Sequence, residues 1–181
     1  SFVALRPADI AILVRNRTEA EAIRKSLSQR KLASVYLSDR DSVFDSPEAQ
    51  DLLYLLRACA EPSVDRLLRA ALATRSIGLS WLTLEQLNQD ELYWEQQVLR
   101  FRDYRHLWQQ QGVLPMLRKL MADFQIPARL LLQTDGERSL TNLLHLAEWL
   151  QRSATELDGE NALIRHLAEQ LQAASEEEIL R

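Results

Sequence analysis

Hydrophobic positions change their spacing along the chain, from short apolar runs near the start to helical periodicity over most of the remainder. Residues 10–14 and 33–37 are two apolar runs rich in β-favouring side chains, and each is bounded by polar residues. Between them, Thr18 followed by Glu21 three positions later predicts a helix start with a capping box. A strand, a helix and a strand in this order predict a parallel β-α-β unit, because parallel strands need a crossover connection.

From Leu82 onward the pattern is almost wholly helical. Thr83 and Gln86 have the spacing of a capping box and predict the start of the first of these helices. Further helices are predicted over residues 93–108, 114–124, 140–150 and 161–174. One apolar stripe of the 140–150 helix is predicted to be buried: Leu140, Leu143, Leu144, Ala147 and Leu150.

Two arginines follow the first predicted strand. Arg15 ends the apolar run and Arg17 comes two residues later, where the chain turns into the predicted helix. Ligands of open α/β sheets bind beyond the carboxyl ends of the strands, so both side chains are candidates for a phosphate contact. The alternative is that they are solvated arginines, and position alone favours it because arginine is mostly exposed.

A series of motifs then follows in a fixed order. Phe44 lies in a turn, Glu48 and Asp51 form an E-x-x-D pattern before the leucine-rich residues 52–56, and a turn of sequence Arg75-Ser76-Ile77-Gly78 comes later. Together with the strand that carries Arg15, this order resembles the region around motif IV in the second RecA-like domain of UvrD/Rep-type superfamily I DNA helicases. The resemblance covers essentially the whole chain.

The resemblance implies an α/β start followed by a mostly α structure. Residues 1–45 would be a short parallel β-α-β piece of the second RecA-like domain, and residues 46–181 a helical insertion subdomain. Residues 42–79 and 137–149 are most similar to helicase subunits that also belong to a nuclease complex. The expectation is therefore a fragment of an ATP-dependent helicase and exonuclease of double-strand break repair. Its parent would use ATP and Mg²⁺, act on duplex DNA with a single-stranded tail, and assemble with other subunits.

The resemblance also assigns roles to particular residues. Arg15 matches the motif IV arginine, which contacts the γ-phosphate of ATP across the cleft between the RecA-like domains; a guanidinium suits this because it is always charged and donates in a planar fork. The turn of Arg75, Ser76, Ile77 and Gly78 matches a turn that touches duplex DNA in relatives. Ser76 replaces the first glycine of the family's R-G-I-G, and this weakens the case for a backbone contact to DNA.

Each of these assignments has a structural alternative. The turn can be an ordinary one in which Ile77 fills the core and Gly78 permits the backbone angles. Phe44 can be a hydrophobic plug, and Glu48 and Asp51 can be structural. Ser46 with Pro47 already explains a helix start at that position.

Composition limits the chemistry that this chain can perform. There are four glycines and no G-x-x-x-x-G-K-S/T loop, and no Walker B segment or nuclease carboxylate set is recognisable, so the fragment alone is expected to be inactive. Cys59 is the single cysteine and lies in an apolar helix, which predicts a core residue. His106, His145 and His166 show no ligand spacing, and no metal site is predicted. No apolar run is long enough for a membrane span and no signal peptide is visible, so a cytoplasmic parent is expected.

Charge is spread unevenly. The net charge is −4, but residues 1–80 carry 12 basic and 10 acidic side chains whereas residues 81–181 carry 10 and 16. DNA contacts are therefore expected in the first half. An aromatic and basic cluster in the second half, around Phe101, Tyr104 and Trp108, can serve either nucleic-acid stacking or the core, and its helical spacing favours the core. A helical module that docks partner subunits, with no direct role in ATP or DNA binding, is the alternative function.

Overall fold

A computed structural model describes residue 6 and residues 10–15, 17–34 and 43–179, without the side chains of residues 17 and 177–179. The chain divides into two compact units, residues 1–41 and 42–181. The predicted division into residues 1–45 and 46–181 stays a prediction.

The first unit contains one described helix, α1 (Arg17–Gln29). Thr18 lies within this helix, so the prediction that it is the N-cap is wrong, although the helix itself is confirmed. Residues 10–14 are irregular, and Ile10, Ile12 and Leu13 are exposed. No strand is present among the described residues, and residues 35–37 of the second predicted strand lie outside them. The β-α-β unit therefore stays a prediction.

All regular secondary structure described in the second unit is helical. It begins with a 3-10 turn, Val43–Asp45, followed by α2 (Pro47–Ala60), α3 (Asp65–Leu72), α4 (Trp81–Gln89), α5 (Glu91–Gln111), α6 (Val113–Asp123), α7 (Ile126–Leu130), α8 (Gly136–Ser153) and α9 (Glu160–Ile179). The helical segments predicted from Leu82 onward are confirmed. α5, α8 and α9 are longer than predicted, whereas α6 has the predicted length and begins one residue earlier. None of the described helices combines the length and apolarity needed to cross a membrane.

Side-chain caps fix where several of these helices begin. The Ser46 hydroxyl accepts a hydrogen bond from the backbone N–H of Ala49 at 3.3 Å, and Pro47 occupies the first helical position, so this predicted start is confirmed. α4 is capped by Ser80, which accepts from the N–H of Thr83 at 3.1 Å. The prediction that Thr83 caps this helix is wrong by three residues, because the serine offers its acceptor one turn earlier.

The core of the second unit forms around α2. This helix packs against α3, α5, α8 and α9, and most of its apolar side chains are buried. Cys59 is fully buried there, which confirms the predicted core role, and burial raises the pKa of its thiol well above the ordinary range. A buried and protonated thiol is a poor nucleophile.

The predicted stripe of α8 is largely confirmed. Leu143, Ala147 and Leu150 are buried and Leu140 packs at the edge of the core, but Leu144 is exposed and Leu146 is buried in its place. Both leucines fit helical periodicity within the width of an apolar face, so only the neighbouring helices decide which one is covered.

Candidate functional site

The turn of residues 74–78 connects α3 to α4 and is closed by its own hydrogen bonds. The N–H of Gly78 donates to the carbonyl of Thr74 at 3.0 Å, and the Thr74 hydroxyl donates to the carbonyl of Ala71 at 2.7 Å. Gly78 has φ +65°, a left-handed conformation that glycine adopts at low cost. This conformation lets the chain leave α3 and enter α4 within a few residues.

Asp51 of α2 anchors the turn from the side of the core. Its carboxylate accepts hydrogen bonds from the backbone N–H of Ser76 at 2.9 Å and from the Ser76 hydroxyl at 2.8 Å. Bonds to a charged acceptor are stronger than neutral ones. The E-x-x-D motif and the turn are therefore parts of one structure, although they lie far apart in sequence.

Arg129 of α7 anchors the turn from a second direction. Its guanidinium donates to the carbonyl of Ser76, and it lies against Gly78 where a side chain at that position would project. Both backbone polar groups of Ser76 are thus engaged by side chains from other helices. The turn is held in one conformation by α2 and α7.

The four residues of the turn divide into an inner and an outer pair. Ser76 and Ile77 are buried, with 3% and 2% of their surface exposed, whereas Arg75 and Gly78 are exposed. Ile77 fills the core, as the structural alternative expects. Arg75 is exposed beside this anchored backbone, so its side chain is accessible to DNA. The contact to DNA stays a prediction.

Glu48 lies one turn before Asp51 and is half-buried. The side-chain amide of Asn142 donates to its carboxylate at 3.0 Å, and Ser139 provides a second side-chain hydrogen bond. Burial acts to raise the pKa of Glu48, but these hydrogen bonds and the positive charge of Arg75 outweigh it, so the pKa lies below its ordinary value. Glu48 therefore stays ionised beside the turn and links α2 to α8.

Phe44 has a packing role. Its ring meets that of Trp149 edge-on, with centroids 4.8 Å apart, and Trp149 also stacks on His166, with centroids 5.0 Å apart. Phe44 belongs to the 3-10 turn, which packs against α2, α8 and α9. These aromatic contacts join the 3-10 turn to α8 and α8 to α9.

Arg15 lies in the first unit and is described there by itself. Its side chain is 90% exposed and forms an ion pair with Glu19 at 3.0 Å, and its backbone N–H also donates to that carboxylate. Such an exposed pair contributes little stability. The predicted contact to the γ-phosphate stays a prediction.

The aromatic and basic cluster of α5 belongs to the core, as its spacing predicts. Phe101, Tyr104 and Trp108 are buried, and the Tyr104 hydroxyl donates to the Asp123 carboxylate at 2.9 Å. The neighbouring residues Arg100, Arg102 and Arg105 are exposed. Arg105 also forms an ion pair with Glu160, with 3.7 Å between Nε and the carboxylate. Among the described residues, no group of His, Cys, Asp and Glu side chains is arranged to hold a metal ion such as Mg²⁺.

Sequence patterns do not identify three residues around the turn. Arg129, Ser139 and Asn142 carry no local signal for such a role, because each acts across a long sequence separation on α2 or the turn. Pro127 and the neighbouring apolar positions mark α7 as a helix, but they do not show which side chain reaches Ser76.

Comparison with known proteins places these features in a family. Residues 5–110 match the model of the UvrD-like helicase C-terminal domain. The chain is 46% identical over 92% of its length to the RecBCD enzyme subunit RecB of Escherichia coli (strain K12), and 40% identical over 98% to that of Haemophilus influenzae. The corresponding subunit of Mycobacterium tuberculosis is 32% identical over 81% of the chain. The chain spans 14%, 15% and 13% of these three relatives, respectively.

Proposed function

The chain belongs to the UvrD-like helicase C-terminal domain family and is homologous to RecB subunits, and from this premise we propose that its parent protein is an ATP-dependent DNA helicase and exodeoxyribonuclease. That protein would act in recombination and double-strand break repair, in the cytoplasm, on duplex DNA with a single-stranded tail. ATP and Mg²⁺ would be its cofactors, and RecC-like and RecD-like subunits its partners. Neither nucleotide nor metal would be bound by this segment alone, since Arg15 is its one assigned contact to ATP.

Within that protein, the turn of residues 75–78 is proposed to contact the phosphate backbone of the duplex. The observation that carries this proposal is the anchoring of Ser76 by Asp51 and Arg129, which fixes the backbone that bears the exposed Arg75. A fixed backbone reduces the conformational entropy that a loop loses on binding. The guanidinium of an arginine on this anchored backbone can donate two hydrogen bonds to one phosphate.

The test is the affinity of the full-length parent for a tailed duplex after Arg75→Glu. We expect weaker binding with only a small fall in the melting temperature, because the Arg75 side chain is exposed and its charge only adds to the hydrogen bonds that Glu48 accepts. Arg165→Glu is the matched control, because Arg165 is exposed on α9 and this substitution makes the same change in charge. Unchanged DNA affinity in Arg75→Glu would refute the duplex contact.

Arg15 is proposed to contact the γ-phosphate of ATP. Its exposure and its weak pairing with Glu19 support this, because little stability is lost when the guanidinium exchanges Glu19 for a phosphate. In the parent, Arg15→Ala is expected to lower DNA-stimulated ATP hydrolysis by about a thousandfold, the order found for arginines that stabilise phosphoryl transfer. Lys25→Ala, an exposed cation of α1, is the control. Unchanged turnover in Arg15→Ala would make Arg15 a solvated surface residue.

Docking of partner subunits is the second candidate function. It is favoured by large apolar side chains of the helical unit that are exposed: Trp81, Leu82, Leu92, Leu131 and Leu132. Isolated exposed apolar residues are common. Trp81 and Leu132, however, are almost fully accessible, with 79% and 88% of their surface exposed to solvent. If these side chains dock a subunit, Trp81→Ser and Leu132→Ser should each weaken complex assembly at low and high salt alike and leave the DNA affinity of the assembled complex unchanged. Unaltered assembly would contradict this function.

A further inference from the structure

We propose that Arg129 is a second phosphate ligand at the turn, so that Arg75 and Arg129 together bind the DNA backbone. The inference rests on the proposed duplex contact and adds to it Arg129, a residue of α7. No feature of the sequence motif includes it, since Arg129 and Ser76 are 53 positions apart.

The position of the guanidinium is the first argument. Arg129 donates through Nη2 to the carbonyl of Ser76, and its Nη1 and Cζ cover the face of Gly78 that lacks a side chain. Gly78 is itself exposed, so the guanidinium lies at the solvent-facing part of the turn. A phosphate that reaches Arg75 from solvent would therefore meet a second guanidinium at the same turn.

The charge of Arg129 is the second argument. Within the described ranges, no carboxylate is paired with its guanidinium. Arg105, in contrast, is paired with Glu160, and Arg15 with Glu19. Burial lowers the pKa of Arg129, and no opposing charge compensates. Partial burial of an unpaired cation is unfavourable, and a bound anion would offset it.

Unused hydrogen-bonding capacity is the third argument. A guanidinium has five N–H donors, and the carbonyl of Ser76 takes one donor group. The planar fork matches the oxygens of a phosphate and can bind it with two parallel hydrogen bonds. Because the Ser76 contact already orients the side chain, little rotamer freedom would be lost on binding.

The experiment measures binding of the full-length parent to a tailed duplex over a series of salt concentrations. Arg129→Gln removes the charge but keeps a donor for the Ser76 carbonyl, and Arg129→Lys keeps the charge. We expect Arg129→Gln to weaken binding about fivefold to tenfold at about 0.1 M salt and to lower the slope of log K against log salt by about 1, as for the loss of one phosphate contact. Arg129→Lys should retain most of the slope. Arg118→Gln, an exposed arginine of α6, is the matched control.

A double variant separates a direct contact from an effect on Arg75. If Arg129 binds its own phosphate, Arg75→Gln with Arg129→Gln should lower the salt slope by about 2, twice the loss of either single variant. If Arg129 only holds the turn, the double variant will match Arg75→Gln alone, and the inference is overturned. An effect of Arg75→Gln without any effect of Arg129→Gln also overturns it but leaves the proposed function intact. If neither variant changes DNA binding, both proposals fail.

Discussion

The Asp51 carboxylate accepts two hydrogen bonds from Ser76, one from the backbone N–H at 2.9 Å and one from the hydroxyl at 2.8 Å. Ser76 is buried, so its N–H would have no alternative partner if the carboxylate were removed. A buried donor left unpaired costs about 1 to 3 kcal/mol, and hydrogen bonds to a charged group are stronger than neutral ones.

Asp51→Ala is therefore expected to lower the free energy of unfolding by about 2 to 4 kcal/mol. Ser76→Ala removes only the hydroxyl bond to the carboxylate and should cost about 1.5 kcal/mol, at the low end for a bond to a charged group. Urea unfolding of the 181-residue chain, followed by tryptophan fluorescence, measures both. Equal losses of unfolding free energy in the two variants would show that the hydrogen bond from the backbone N–H of Ser76 to Asp51 does not stabilise the fold.

Gly78 should tolerate alanine poorly for two separable reasons. Its φ of +65° costs an L-residue roughly 1 to 2 kcal/mol, and the new Cβ would displace the Arg129 guanidinium, which adds about 1 kcal/mol, the order of a lost hydrogen bond. Gly159→Ala is the matched control, because Gly159 has φ +83° but no neighbouring atom lies within 4 Å of the point to which a new methyl group would project. We expect Gly78→Ala to be the more destabilising.

The cost of Gly78→Ala should shrink when Arg129 is already alanine, since the displaced group is then absent. A double-mutant cycle on unfolding free energies measures this coupling. Additive effects of the two substitutions would mean that Arg129 moves away from Gly78 at no cost.

Glu48 should make the helical unit sensitive to acid. Its pKa in the folded chain lies below the ordinary value of 4.5, so its ionised form stabilises the fold at higher pH, and this contribution is lost as the pH falls below 4.5 through the folded pKa. Glu48→Gln should therefore reduce the fall in melting temperature between about pH 5 and pH 3, a window set by the ordinary carboxylate pKa. Glu169→Gln, an exposed glutamate of α9, is the control. A profile of Glu48→Gln that parallels the unsubstituted chain would contradict the assignment.

Cys59 should report unfolding of the core. It is fully buried and its thiol pKa is raised, so iodoacetamide should modify it far more slowly in the folded chain than in urea. Because it is the single cysteine, the mass increase of one adduct measures the reaction directly. Equal rates in the two conditions would show that the α2 core opens readily in the folded chain.

Local patterns are sufficient to predict the longer helices and some of their ends, but they do not predict the five-residue helix α7. Ser46 and Pro47 define the start of α2 because a cap and a first-turn proline act within one turn. The cap predicted at Thr83 is wrong because Ser80 has the same capacity and lies closer to the preceding turn. The exposed Leu144 and the buried Leu146 show the limit of periodicity, since both fit an apolar face of ordinary width.

The sequence by itself determined the family, most helices from Leu82 onward and the motif positions from Phe44 to Gly78, because these depend on residue types at short spacing; it did not predict the short helix α7. Only the tertiary structure decided that Asp51 and Arg129 meet at Ser76 and that Asn142 meets Glu48. These partners are 25, 53 and 94 positions apart. The packing of α2, α7 and α8 brings them together, and hydrogen bonds of about 3 Å form only where that packing places donor and acceptor.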